Sequence, residues 1–516
     1  MLGAPGNIAM NIIATTRRNF LKRSVGVAAV AGLGDLAFLA QLPRVTAAEA
    51  KLPARMVALH PDIEPLVRLL ENTPRGRVLE EVAAKIKRGT SYREVLAALM
   101  LAGTRSIQPR PVGFKFHAVL VVNSAHLAAL ASPDTDRWLP IFWAIDAFKS
   151  SQAQNVQQGD WTMGPVDEAA VPPSHKARQA LIDALDNWDE AAADVAIVGL
   201  GRTAGANEIY EILSRYGGRD FRELGHKEIY TANSFRCLGA IGWQHAEPVL
   251  RSLVYAMLDR VGEKANPAHA DLPADRPFRR NLERVKEIRA GWRDGKPDAA
   301  ATREMLVAIR DGSANDTSTK ALELLNRGVA PSSLWDAYFD GAGELLMRQP
   351  GIAALHATTF TNACHYSFQH CRDEETRQLL LLQNAAFLPL YRGNSRDKGL
   401  HIDTLEPLAL KDSGAGAVAE IFADVSVDKL SAARKILTYL QDHPDPKPLA
   451  DAARRLIFLK GRDSHDYKFS SAVLEDYAFM APQWRNRYLA ASVFNLKGSG
   501  DRDNDLVQRT RAALPG

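Results

Sequence analysis

A histidine, an asparagine and a second histidine recur at fixed spacing on apolar ground: His117, Asn123 and His126 in GFKFHAVLVVNSAHL, and His356, Asn362 and His365 in HATTFTNACHY. Burying polar groups is costly unless each finds a hydrogen-bond partner, so a chain that carries this pattern twice must fold to supply such partners. A looser copy lies between them in GHKEIYTANSFRCLG, where His226 precedes Asn233 by seven residues and Arg236 takes the place of the second histidine. A fourth candidate opens at His465 in DSHDYKFSSAVLED, with Ser471 in the position of the asparagine. The four opening histidines are 109, 130 and 109 residues apart, the alternation expected of two duplicated halves with two units each.

No segment sustains the period-two alternation of a half-buried strand, so the body is expected to be all-α, a helical array of about four pseudo-repeats in two duplicated halves. At 516 residues and 46% hydrophobic content the chain can bury a large core. The expected divisions are a leader over 1–50, an N-terminal helical half over 51–272 and a C-terminal half over 273–516, the two halves packed as one body. Helical patterning runs from Pro61 to Leu101, with breaks at Thr73-Pro74 and Gly89 and a capping box from Ser91 to Glu94. Trp138 to Phe148 reads as a buried helix, 151–173 as the clearest loop, and 262–278 and 392–415 as further breaks; helical pattern returns at Ala321. Gly199, Gly201 and Gly205 imitate a dinucleotide-binding turn, but the third glycine is one position late and no acidic ribose partner follows. Tight helix packing is the simpler reading.

Charge excludes some partners. Net charge is +4, and residues 1–50 contribute +3 of it, leaving a nearly neutral body with no electrostatic case for nucleic acid or an anionic membrane surface. Within the leader, Thr16-Arg17-Arg18-Asn19-Phe20-Leu21-Lys22 precedes an apolar stretch, Val25 to Leu39, and small residues at Thr46-Ala47-Ala48 and Ala48-Glu49-Ala50. Asp35 and three glycines make that stretch too weak for a stable membrane span. The leader resembles bacterial twin-arginine export signals, which implies the export machinery as a partner, a periplasmic or otherwise exported location, and translocation of an already folded protein, often one carrying a cofactor. Three cysteines, Cys237, Cys364 and Cys371, cannot all pair internally, and no CxxC or CxxCH is present.

Pseudo-symmetric units bring equivalent positions to a common axis, so His117, His226, His356 and His465 are the candidate metal ligands, converging on one cavity. Neutral imidazoles suit zinc, iron, copper or manganese, with a position left for water or substrate. Helical geometry constrains the copies: about 100° per residue puts the asparagine about 240° and the second histidine about 180° from the first. All three converge only where a helix begins or breaks at the first histidine. His126 and His365 are catalytic candidates, as are His245 and Glu247, which act as base and partner if a turn precedes Pro248. The same pattern equally suits a structural device in which each ring bonds a neighbour's carbonyl.

At His245-Ala246-Glu247-Pro248-Val249-Leu250 and His356-Ala357-Thr358 the chain resembles the questin oxidase-like family, helical proteins whose members include a Baeyer–Villiger-type oxidase. That resemblance implies oxidation chemistry and no residue assignment, and the export signal departs from it. Together these readings lead us to expect an exported metal- or cofactor-dependent enzyme, an oxidoreductase acting on a small organic molecule at a histidine-lined cavity. The alternative is a non-catalytic periplasmic helical-repeat binding or scaffold protein. Convergence of the opening histidines favours the first, and rings far apart the second.

Overall fold

The computed structural model describes residues 56–514 except 261, 393–397, 413 and 415. The export motif at Thr16–Lys22 and the cleavage positions near 48–50 lie outside the described residues. Residues 55–516 group as one unit, and the described residues form α-helices joined by short 3₁₀ turns, with a lone parallel bridge, Lys296 to Val329, and no strand.

The first helices, Glu64–Asn72, Val78–Lys87 and Tyr92–Ser106, break where the prolines and glycines put them. The Ser91 hydroxyl accepts from the Glu94 backbone N–H and the Glu94 carboxylate accepts from the Ser91 N–H, a complete capping box. Two boundaries differ from expectation. The helix from Leu139 continues to Gln157, so 151–157 is helix and the loop starts after it, because Asn155 is buried and bridges the Gln108 N–H and the Trp161 carbonyl. Helix Ala299–Asp311 precedes Ala321 and helix Ala314–Asn326 starts seven residues before it; each opens on a side-chain cap, Asp298 and Ser313, that the sequence pattern also carries. Gly199 and Gly201 lie inside helix Glu190–Gly201 with no strand before them, which removes the dinucleotide turn. A Cβ on Gly199 would press on the Pro172 carbonyl and the Ala177 side chain, so the glycine serves helix packing. The three cysteines are buried and unpaired.

Four helices form the centre. They are α1 (Val122–Leu130), entered through a separate turn His117–Leu120, α2 (His226–Ile241), α3 (Ile352–His370) and α4 (Ser464–Phe479). Each packs on two of the others, α1 on α2, α2 on α3, α3 on α4 and α4 on α1, which closes a ring. All four run in the same direction, since their opening histidines meet at one end and the asparagine layer follows below. Their interior rows repeat by register: histidines first, then Ile229, Thr359 and Lys468, then Asn123, Asn233, Asn362 and Ser471, then Arg236 and Glu475. The remaining helices cover the outer apolar faces.

The turns that deliver the histidines use unusual backbone. Phe114 (φ 46°), Glu223 (φ 50°) and Leu224 (φ 53°) are left-handed non-glycine residues immediately before His117 and His226, a conformation that persists only where surrounding structure over-determines it. Gly225 (φ 77°) completes the second turn, and a Cβ there would strike the Phe360 ring and the Tyr391 hydroxyl. Gly225→Ala is therefore expected to destabilise the fold by about 2–4 kcal/mol, read as a lower urea midpoint; a loss under 0.5 kcal/mol would mean that the turn relaxes freely.

Candidate metal centre

His117 and His226 are the first residues of their helical segments, His465 the second of α4 and His356 the fifth of α3. The rings meet where the four N-termini converge. The His226 Nε2 lies 3.0 Å from His117 Nε2 and 2.9 Å from His356 Nε2, and one ring nitrogen from each of the three falls within 4.8 Å of the others. The His465 ring centroid is 4.4 Å from that of His117 and 5.2 Å from that of His356.

The opposite ring nitrogens fix the protons. His117 Nδ1 is 2.9 Å from the Phe114 carbonyl, His356 Nδ1 2.7 Å from the Ile352 carbonyl, and His226 Nδ1 bonds the Glu223 carbonyl. A carbonyl oxygen only accepts, so each Nδ1 carries its ring's proton and each Nε2 presents a lone pair. The central Nε2, on His226, thus faces two further lone pairs at hydrogen-bond distance. One added proton could bridge only one of these contacts, and the surroundings oppose it. Burial, joined by the Lys468 charge and the neighbouring rings, pushes His117, His226 and His356 well below the ordinary histidine range.

A cation would resolve the arrangement. Nitrogens held at about 2.0–2.1 Å by one ion stand about 2.9–3.4 Å apart for angles between 90° and 109°, which covers the 3.0 and 2.9 Å contacts of His226. Imidazoles whose Nδ1–H is tied to a carbonyl have the second-shell arrangement of metal-bound histidine. His465 matches through a carboxylate: its Nδ1 lies 3.3 Å from Asp463 Oδ1, and its Nε2 is buried without a hydrogen-bond partner. The hydrogen bond to His465 draws the Asp463 carboxyl down to about 2.

Two sides of the ring cluster differ. Outward, the exposed side chains of Phe114 and Ile352 (71% and 54% accessible) flank the turns whose carbonyls hold His117 and His356, leaving an apolar rim. Inward lies a chamber with about 10 Å³ of room, near what one water needs. It is lined by Thr359, Lys468, Ser471 and the asparagines Asn123, Asn233 and Asn362, among others. Arg236 and Glu475 floor it. Arg236 donates to Asn233 and Asn362 at 3.2 Å each and pairs with Glu475 at 2.5 Å; Asn362 donates to Glu475 and Asp476 at 2.7 Å each. The Lys468 Nζ is buried with no partner, and desolvation brings its amine down to about 7.

The structure therefore brings His117, His226, His356 and His465 together and leaves the four residues read as catalytic outside. His126 faces away from the ring cluster, bonded to the Tyr92 hydroxyl at 2.9 Å. His365 sits against Trp335, Phe339 and Phe479, where burial lowers it to about 3. In both cases the half-turn separation from the opening histidine decides the outcome, since one face looks into the bundle and the other into the covering layer. The helix of the third copy is unbroken from Ile352, yet His356 and Asn362 both serve the interior, about 120° apart on its inner side. His245 stands just before helix Ala246–Met257 without a side-chain capping bond, and Glu247 accepts from Arg202 at 2.7 Å in a surface network with Glu168. Sequence reasoning missed Lys468 and Asp463. The signal was a lysine one turn after His465 on a helix that also buries Tyr467, Phe469 and Val473, and an aspartate placed to cap it.

Comparison of the chain with models of known protein families finds no match, and comparisons with curated proteins and with solved structures find none either. No helix among the described residues is long and apolar enough to cross a membrane.

Proposed function

We propose that His117, His226 and His356, with His465 beside them, hold one transition-metal ion and that the protein is an exported metal-dependent enzyme, an oxidoreductase acting on a small organic molecule at the rim of that site. The observation that carries this reading is the meeting of three unprotonated Nε2 atoms, two of the contacts at 2.9 and 3.0 Å. A shared cation would make that meeting favourable. An all-imidazole set suits iron, copper or zinc, and a redox-active ion there would supply one-electron chemistry beside the apolar rim of Phe114 and Ile352. Export rests on the Thr16–Lys22 motif, which would deliver the folded, loaded protein.

The backbone bonds made by Nδ1 of His117, His226 and His356 also suit the scaffold alternative, in which the rings only tie turns to helices. Elemental analysis separates the two. Protein exported through its own leader and purified without chelator is expected to carry close to one metal per chain, and a His117→Ala, His356→Ala double variant, folded by circular dichroism, is expected to carry none. Absence of metal from the parent protein would leave the scaffold reading. If the metal is iron or copper, its optical and paramagnetic signals direct the search for substrates to oxidation; zinc would redirect it to hydrolysis.

A further inference from the structure

A second cavity lies away from the histidines, where α1 ends. Its volume is about 640 Å³, within the range of pockets that enclose whole organic molecules. Three parts of the chain build it: the stretch from Ala131 into the start of helix Leu139–Gln157, helix Lys447–Lys460, and Arg511 in the last turn of helix Leu506–Ala513. The second of these contributes residues three to four apart, Lys447, Asp451, Arg454 or Arg455, and Phe458, which share one helix face. Leu139, Pro140 and Phe458 are buried, so part of the lining is apolar. The charges around it do not balance. Lys447 and Arg454 share the Asp451 carboxylate. The side chains of Arg455, Arg511 and Asp136 form no hydrogen bond or ion pair with any described residue. Those three leave one positive charge beside the apolar lining. Guanidinium groups take carboxylates in paired hydrogen bonds, and one net charge, with Asp136 in the same cavity, suits a singly charged head better than a phosphate dianion.

We infer that this cavity binds an organic carboxylate with an apolar ring body, its head held by Arg455 and Arg511 and its body against Leu139, Pro140 and Phe458. The inference is independent of the metal reading. The helical segments His117–Leu120 and Val122–Leu130 lie between the two places and span on the order of 20 Å. A ligand here is therefore out of reach of an ion at the rings, and the cavity is a binding site rather than a second position for the reacting molecule.

1-Naphthoate has such a head and body, and 1-naphthalenemethanol is its uncharged counterpart. Each is titrated calorimetrically into protein exported through its own leader. Wild type is expected to bind one 1-naphthoate per chain, and the alcohol about tenfold or more weakly. An Arg455→Gln, Arg511→Gln double variant is expected to lose about tenfold or more in affinity for 1-naphthoate. Both arginines are exposed, so its circular dichroism should match that of wild type. Asp136→Asn, which removes the one unpaired negative charge, is expected to move affinity the other way, tightening 1-naphthoate about threefold. No saturable binding of 1-naphthoate by wild type, equal affinity in the double variant, or equal affinity for the alcohol overturns the carboxylate site, and none of these results bears on the metal centre.

Discussion

Stripped of metal and taken from pH 7 to pH 5.5, the protein is expected to lose several kcal/mol of stability, more steeply than a His226→Leu variant under the same conditions. Burial, the Lys468 charge and the neighbouring rings hold His117, His226 and His356 well below the ordinary histidine value of 6.5 in the folded state. The unfolded chain takes up protons near that ordinary value, so below it the unfolded state binds protons that the folded state refuses. Stability from this source is present above about pH 6.5 and is lost as pH falls towards the folded values. Each such proton is worth about 1.4 kcal/mol per pH unit, so three acting together give a slope of about 4 kcal/mol per unit. His365 is shifted in the same direction but is common to both proteins and cancels in the comparison. Urea midpoints at pH 7, 6.5, 6 and 5.5 in chelator measure the slopes. If His226→Leu has the wild-type slope, the rings do not titrate as a buried group. Adding metal at neutral pH should raise the wild-type midpoint, by about 4 kcal/mol when free metal stands a thousandfold above its Kd, and should leave the variant unmoved.

Replacing Lys468 by methionine is expected to stabilise the metal-free protein. The Nζ is buried without a hydrogen-bond partner, and burial lowers the amine from 10.5 to about 7. Below about pH 7 it is charged in both states and the folded state bears the full cost. Between pH 7 and 10.5 the unfolded chain keeps a proton that the folded chain has released, so the cost fades as pH rises and is gone above that range. A displacement of this size corresponds to a gap on the order of 4–5 kcal/mol at pH 6.5. Wild type and variant should therefore differ most at pH 6–7 and converge by about pH 10. Buried tyrosines and cysteines titrate in the alkaline range, but equally in both proteins. Paired urea titrations at pH 6.5, 8 and 9.5 test this. A gap that does not change with pH, or a variant less stable than wild type, would mean that the amine has an unrecognised anionic partner.

What was legible in the sequence was set by local rules. Apolar residues at helical spacing, side-chain caps and breaking prolines and glycines are read within a few residues, so the all-α class and the capping box at Ser91 follow directly. The repetition of the opening histidines named the members of the cluster, because residues at equivalent points of similar helices meet once those helices surround one axis. Errors arose where tertiary contacts overrode local polarity. Residues 151–157 look like loop, but Asn155 has interior partners that keep the helix going. His126 and His365 share the pattern of the ligating rings yet stand half a turn away. His245 and Glu247, close in sequence, go to the residue before a helix start and to a surface ion pair.

The sequence by itself determined that the body is helical and where most of its helices start, since backbone preference and hydrophobic period act over one or two turns. Only the tertiary structure decided that four of those helices run in the same direction around one interior, that the Nδ1 atoms of His117, His226 and His356 are tied to carbonyls so that their Nε2 atoms face each other, and that Lys468 comes to lie beneath them without a partner. Those features depend on the hand and register of segments more than a hundred residues apart, and on left-handed turns at Phe114 and Glu223–Gly225 that no propensity favours and that only the packed whole can hold.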